Sequence, residues 1–257
     1  MGQLKPELFV RKIKRRNARN KDEWRSYLKR LAKYTTHVSG NYFTRSRHRT
    51  WVQDRLYGMH YEPVFTFALK RFYKRPVYDL ANELAALGKK NLTVLEDGAG
   101  QGIFLSDLRT NLRKLGITPR LIGLHAERRN PRLFARKKIK DIDELNRGLA
   151  EYFVPKKPVD VIFSLFGSIY YTPKMHEVDH ILKFASSLKP GGIMLAGVDS
   201  IVAATFTRST KREELQRLIQ VKKVLTPRGF KVRVYGVPPH LLLGRSLPEF
   251  VLVVKRD

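Results

Sequence analysis

From Pro76 to the end of the chain, short apolar runs alternate with amphipathic stretches, and few folds accept that pattern. Pro76 suits a first helical position, Val77, Leu80, Ala81 and Leu84 follow as a stripe, and Gly88 supplies the stop. Leu92-Thr93-Val94-Leu95 is a strand candidate, after which Leu105, Leu108, Leu112 and Leu115 recur at helical spacing up to Gly116. Leu121 to Leu124 is a second strand, and Val159 to Phe163 has the composition of a buried one. Val178, Ile181, Leu182, Ala185 and Leu188 form another helical stripe, halted by Lys189-Pro190-Gly191-Gly192 before a strand at Ile193 to Ala196. Thr210-Lys211-Arg212-Glu213 has the form of a capping box, opening a helix that carries Leu215, Leu218 and Ile219. Two final strands, Val232 to Val237 and Phe250 to Val254, are joined by a loop too long for a tight hairpin. Strands alternating with helices predict an α/β fold, a doubly wound and mostly parallel sheet. In such sheets the ligand sits beyond the carboxyl ends of the strands, where the strand order reverses.

Composition changes near residue 75, which divides the chain into residues 1–75 and 76–257. The first part holds both tryptophans, about twenty of the Lys and Arg residues and only a handful of acids. Asn20-Lys21-Asp22-Glu23 resembles a capping box, and Trp24, Leu28 and Leu31 follow at helical spacing with Tyr27 beside them. Residues 35–50 read as a polar, arginine-bearing loop, and a second aromatic-rich helical stretch runs from Trp51 to about Tyr73, restarting at Pro63. This part is expected to be a basic α-helical N-terminal extension.

The whole chain of 257 residues carries 51 Lys and Arg against 23 acids, a net charge of +28. Such an excess repels itself in a compact state and is usually balanced by a polyanion. Nucleic acid is the commonest polyanion, with an anionic membrane surface second. No apolar run approaches the ~20 residues of a membrane span, so no membrane insertion is expected. The start, Met1 to Pro6, lacks an apolar signal core, which makes the cytoplasm the default location. There is no cysteine, which excludes disulfides, thiolate metal sites and a cysteine nucleophile.

Val94-Leu95-Glu96-Asp97-Gly98-Ala99-Gly100-Gln101-Gly102 lies where the first strand should enter its helix. Glycines there let the backbone turn sharply and approach a ligand closely. The dinucleotide fingerprint needs a glycine where Ile103 stands, and a diphosphate would be repelled by an acid two residues before the first glycine. The ammonium of an amino-acid-bearing cofactor would not be.

This motif resembles the first motif of the class I methyltransferases, usually VLDxGxGxG. Phe163-Ser164-Leu165-Phe166 is similar to that family's fourth strand end, and Leu188 to Ile193 to its frequent LKPGG before the fifth strand. The resemblance covers roughly residues 76–257. It implies a seven-stranded Rossmann-like sheet and S-adenosylmethionine as cofactor. Carried over by position, Glu96 would order the methionine end of the cofactor. Gly98, Gly100 and Gly102 would line its amino-acid and sugar portion, and Ser164 would close over the amine. Two departures stand out. Asp97 occupies a position the family fills with an apolar residue. At the second strand end, where the family carries an acid for the ribose hydroxyls, this chain has His125, with Glu127 two residues later; either can be the ribose ligand. Asp141 or Asp143 is the candidate third-strand acid near the adenine.

The acceptor is less defined by the residues. The Asn/Asp-Pro-Pro-Tyr tetrad of exocyclic-amine methyltransferases is absent, and no general base can be named. Tyr170 and Tyr171 follow the fourth strand, where a tyrosine could stack a base or pack a lid. His176 and His180 stand four apart on a helix, which reads as a solvated face rather than a metal pair. Arg11, Lys12, Lys14, Arg15, Arg16 and Arg19, with a second cluster at Arg45, Arg47 and Arg49, interleave with Trp24, Tyr27, Tyr34, Tyr42, Phe43 and Trp51. A third cluster runs from Arg128 to Lys140. Cations mixed with aromatics suit unpaired bases, so RNA is favoured over DNA as partner. The expectation is an S-adenosylmethionine-dependent methyltransferase acting on ribosomal or transfer RNA. The alternatives are a non-catalytic RNA-binding or ribosome-assembly protein of the same fold, and a methyltransferase for a protein or small molecule.

Overall fold

The computed structural model describes residues 4–29, 62–99, 102–125, 142–165, 168–171, 174–198, 201–202, 207–208, 210–238, 241 and 249–257. Gly100, Glu127, Asp141, Tyr34, Tyr42, Phe43, Trp51, the cluster Arg45 to Arg49 and the cluster Arg128 to Lys140 lie outside the described residues.

The helices are α1 (Pro6–Arg19), α2 (21–29), α3 (62–73), α4 (Leu80–Ala85), α5 (Ile103–Lys114), α6 (Ser168–Tyr171), α7 (Lys174–Ser186) and α8 (Lys211–Leu225). The strands are β1 (Asn91–Asp97), β2 (Thr118–His125), β3 (Glu144–Arg147), β4 (Val159–Ser164), β5 (Leu188–Val198), the short pair β6 (Ile201–Val202) and β7 (Thr207–Arg208), β8 (Phe230–Gly236) and β9 (Phe250–Arg256). Seven of them form one sheet in the order β3-β2-β1-β4-β5-β9-β8. The first five are parallel, and β9 runs antiparallel to both β5 and β8, so the sheet is mixed. The chain passes from β1 outward to β2 and β3, then returns to β4 on β1's other side. The strand order therefore reverses between β1 and β4.

The central strand β4 is buried at all six positions, as expected of a parallel strand covered on both faces. On one face α3, α4 and α5 pack Phe65, Leu69, Leu84, Leu105 and Leu112 against Val94, Val161 and Phe163. On the other, α1, α7 and α8 pack Phe9, Ile181, Phe184, Leu218 and Val221 against Leu95, Ile162 and Met194. Residues 1–75 thus contribute to both faces, Phe9 to one and Phe65 to the other. Phe65 stacks on Phe163 at 5.1 Å between ring centroids. No helix among the described residues is long and apolar enough to cross a membrane.

Three elements differ from the pattern reading, each for a local reason. Helix α4 starts at Leu80 rather than Pro76, because Asp79 caps it by accepting from the Asn82 N–H at 2.7 Å. Strand β5 begins at Leu188, so the Lys-Pro-Gly-Gly segment lies inside the strand as an irregularity against Val159 and Val161. A Cβ on Gly192 would stand 2.9 Å from the carbonyl oxygens of Asp160 and Lys189, which explains the glycine there. Helix α8 opens with the expected Thr210–Glu213 capping box, but buries Glu214, Leu218, Val221 and Leu225, leaving Leu215 and Ile219 exposed. Asn20 stands where the sequence places it, directly before α2: it ends α1, and its carbonyl accepts from the Trp24 N–H of α2 at 3.0 Å.

Candidate functional site

The glycine turn lies at the carboxyl end of β1, at the strand-order reversal. The N–H groups of Gly98 and Ala99 both donate to the carbonyl of Leu124, at 3.2 and 2.9 Å, which folds the turn over the end of β2. Gly98 has φ 86° and Gly102 φ 72°, the left-handed region that glycine enters without steric cost. Gly102 directly precedes α5 and accepts from the Ser106 N–H at 2.9 Å. A Cβ at Gly102 would meet the Ile142 side chain at 2.5 Å, so part of the demand for glycine here comes from the chain's own packing.

Glu96 and Asp97 are adjacent acids, 2% and 1% exposed, and strand alternation sends them to opposite faces. Glu96 pairs in register with Phe163, on the α3 and α5 face. Asp97 turns to the α7 face. Its Oδ2 accepts from the Ser164 hydroxyl at 2.7 Å, the Ser168 hydroxyl at 2.7 Å and the Ile169 N–H at 3.3 Å. Burial raises the Asp97 pKa, opposed by Ser164, Ser168, the charge of Lys183 and the Ile169 N–H. The residue that departs from the family pattern is therefore the anchor that holds the start of α6 to the end of β1.

Behind this anchor lies a buried polar chain. The Ser168 hydroxyl and His180 Nε2 are 2.6 Å apart. Lys183, one turn further along α7, donates to the Ala150 carbonyl. Burial lowers Lys183 to a pKa of about 7 against the opposing pull of Asp97 and Glu151. Tyr27 of α2 donates to Glu151 at 2.8 Å; burial raises the Tyr27 pKa well above its usual value, and Glu151 adds to the rise. Burial also raises Glu151, opposed by its own backbone N–H, by Tyr27 and by Lys183.

His176 and His180 are both fully buried, which overturns their reading as a solvated helix face. Helices α1 and α2 cover that face: His176 Nε2 bonds Asn17 Oδ1 of α1, and Trp24 of α2 meets the His176 ring edge-on at 5.8 Å. Burial and the nearby Arg16 lower the His176 pKa to about 4. Burial, Lys183 and His176 hold His180 well below its usual range. Among the described residues no group of three His, Cys, Asp or Glu side chains could hold a metal ion.

Of the expected cofactor residues, the fold brings Glu96, Gly98 and Gly102 to one strand end. His125 ends β2, beside the Leu124 carbonyl that holds the turn. Ser164 ends β4 next to β1, but its hydroxyl is committed to Asp97 on the face away from Glu96. Asp143 stands at the amino end of β3, where it accepts from the Leu121 N–H at 2.7 Å and pairs with Arg109. The Asn17–His176 contact was missed in the sequence. Its one signal is a lone asparagine continuing the Phe9–Ile13 stripe at the next four-residue step.

No protein-family model matches the chain, and no curated protein matches it. Solved structures do. CalS10, an amino pentose methyltransferase from Micromonospora echinaspora, is similar over 69% of this chain and 88% of its own, with 14% identity and a TM-score of 0.47. A TehB-like S-adenosylmethionine-dependent methyltransferase from Corynebacterium glutamicum is similar over 74% and 94%, with 15% identity and a TM-score of 0.46. An rRNA methylase from Streptococcus thermophilus is similar over 68% and 93%, with 13% identity and a TM-score of 0.43.

Proposed function

We propose that this chain transfers a methyl group from S-adenosylmethionine to RNA. The observation that carries the reading is the glycine turn itself. A buried carboxylate, Glu96, and two left-handed glycines stand at the carboxyl end of β1, where the strand order reverses. An accepting carboxylate fits an ammonium-bearing cofactor, whose N–H groups donate to it.

Glu96 would hold the amino-acid end. Gly98, Gly100 and Gly102 would let the backbone come close, and His125 or Glu127 would take the ribose. When bound, S-adenosylmethionine supplies an electrophilic methyl on a sulfonium, and positioning with exclusion of water supplies much of the rate. Asp97 fixes Ser164, Ser168 and Ile169, giving the α6 edge of the site a defined place beside β1. The net charge of +28 supports a polyanionic acceptor.

Calorimetric titration with S-adenosylmethionine is the first test, followed by transfer of labelled methyl to total RNA with and without ribonuclease. Binding, and label that ribonuclease releases, support the reading; absence of binding overturns it. One observation favours the non-catalytic RNA-binding alternative: Ile142 is packed against Gly102, on the turn a cofactor would approach. The same titration separates the two.

A further inference from the structure

Helix α1 has two unlike faces. Phe9, Ile13 and Asn17 are buried on the domain, while Arg11, Lys12, Lys14, Arg15 and Arg19 are exposed. The helix also carries Arg16 and a single acid, Glu7. Of its six cations, only Arg16 joins an ion pair among the described residues, with Asp179 at 3.0 Å. Lys12, Arg15, Arg16 and Arg19 fall on one stripe, and with Asn20, where α1 gives way to α2, they line a cleft of about 420 Å³.

The position of this cleft follows from two contacts. Asn17 meets His176, and Arg16 meets Asp179, so α1 runs antiparallel to α7. Helix α7 begins just past the carboxyl end of β4 and returns towards the start of β5. The carboxyl end of α1, with Arg15, Arg16 and Arg19, therefore lies towards the sheet edge that bears the glycine turn.

We infer that this stripe is the docking surface for the sugar–phosphate backbone of an RNA strand, leading it to the edge where β1 and β4 end. Seven rises of 1.5 Å, from Lys12 to Arg19, make the stripe about 10 Å long. That is long enough to meet more than one phosphate of a single strand. Arginine suits the task, since its planar fork matches phosphate oxygens in pairs. A membrane surface fits less well. An interfacial helix needs its apolar face for the lipid, and the Phe9–Ile13 face of α1 is already buried. The inference rests on the RNA part of the function proposed above and not on methyl transfer.

The test is fluorescence anisotropy of the full chain with a labelled single-stranded RNA of mixed sequence across a salt series. The variants are R15E/R19E and a control at equally exposed cations of α8, K222E/K223E. The α1 pair should lose about tenfold or more in affinity, with a salt slope shallower by roughly 1.4, as two lost contacts on single strands require. The control should change less than about twofold, and both variants should keep the parent melting midpoint. Equal losses in both pairs, or none in either, would overturn the inference. So would retention on phosphatidylserine vesicles that exceeds retention on RNA. Calorimetry with S-adenosylmethionine keeps the two proposals apart. A parent that binds RNA through α1 but no cofactor sinks only the methyl-transfer reading; one that binds cofactor, with RNA indifferent to α1, sinks only this one.

Discussion

The Ser164 hydroxyl donates to Asp97 Oδ2 at 2.7 Å, tying the end of β4 to the end of β1 on the face away from Glu96. Asp97 also receives Ser168 and the Ile169 N–H, so its removal strands three donors and withdraws a charge that favours ionised Lys183. Breaking a buried charged network by removing one partner costs about 3–5 kcal/mol. D97L, which restores an apolar residue of the resembling family, should therefore lower unfolding free energy by roughly that amount. S164A should cost only about 1–3 kcal/mol, the range for a hydrogen bond to a charged group. Denaturant melts of both variants check this; a neutral D97L would mean the anchor is idle.

A second relationship joins Gly102 to Ile142. G102A places a Cβ at φ 72° and 2.5 Å from the Ile142 side chain. Left-handed backbone costs a non-glycine residue about 1–2 kcal/mol, and overpacking adds about 1–3 kcal/mol. In the double variant G102A/I142A the overpacking part should be relieved and the backbone part should remain. A double-mutant cycle by thermal melts should show positive coupling between the sites, and strict additivity would contradict the contact.

The fold was legible where apolar periodicity is long, and less so where polar residues do structural work. Strands β1, β2, β4, β8 and β9 and helices α5 and α7 follow from their stripes, because each buries an apolar side, whereas α8 follows from its capping box and turns a different face inward. Strand β3 reads Glu-Leu-Asn-Arg and pairs only with β2 at the sheet edge, so it has no hydrophobic signature. The buried His176, His180 and Lys183 were illegible for another reason. His176 is covered by α1 and α2 from more than a hundred residues away in sequence, His180 meets Ser168 and Lys183 meets the Ala150 carbonyl, and no local pattern reports these contacts. The opposite aims of Glu96 and Asp97 were available from strand alternation alone.

The buried histidines set a pH dependence. The folded pKa of His176 is about 4, below its usual 6.5, so the unfolded chain binds more protons in between. Its contribution is present in full above about 6.5 and is lost as pH falls towards 4, and His180, also depressed, acts in the same direction. Asp97 and Glu151, raised by burial, act oppositely in acid, so the His176 part must be isolated by difference. Unfolding of parent and H176Q at pH 7 and pH 5 does so. The parent should lose on the order of 1 kcal/mol more than the variant between these values, after allowance for solvent screening. Parallel losses would mean that His176 is not held neutral.

Adjacent carboxylates on opposite faces allow the binding and folding roles to be separated by single-atom changes. E96Q keeps the shape of a side chain on the glycine-turn side but removes the charge proposed to meet an ammonium. Its S-adenosylmethionine affinity should fall about tenfold or more, the value of one charge-assisted hydrogen bond at about 1.5–3 kcal/mol. D97N removes a charge that bonds Ser164 and Ser168 and sits on the α7 side. It should reduce stability while leaving cofactor affinity within about threefold, because asparagine can still accept from those hydroxyls. Calorimetry and denaturant melts on both variants fill a two-by-two comparison. If D97N rather than E96Q weakens the cofactor, the ligand approaches from the α7 side of the sheet, and the assignment of Glu96 fails.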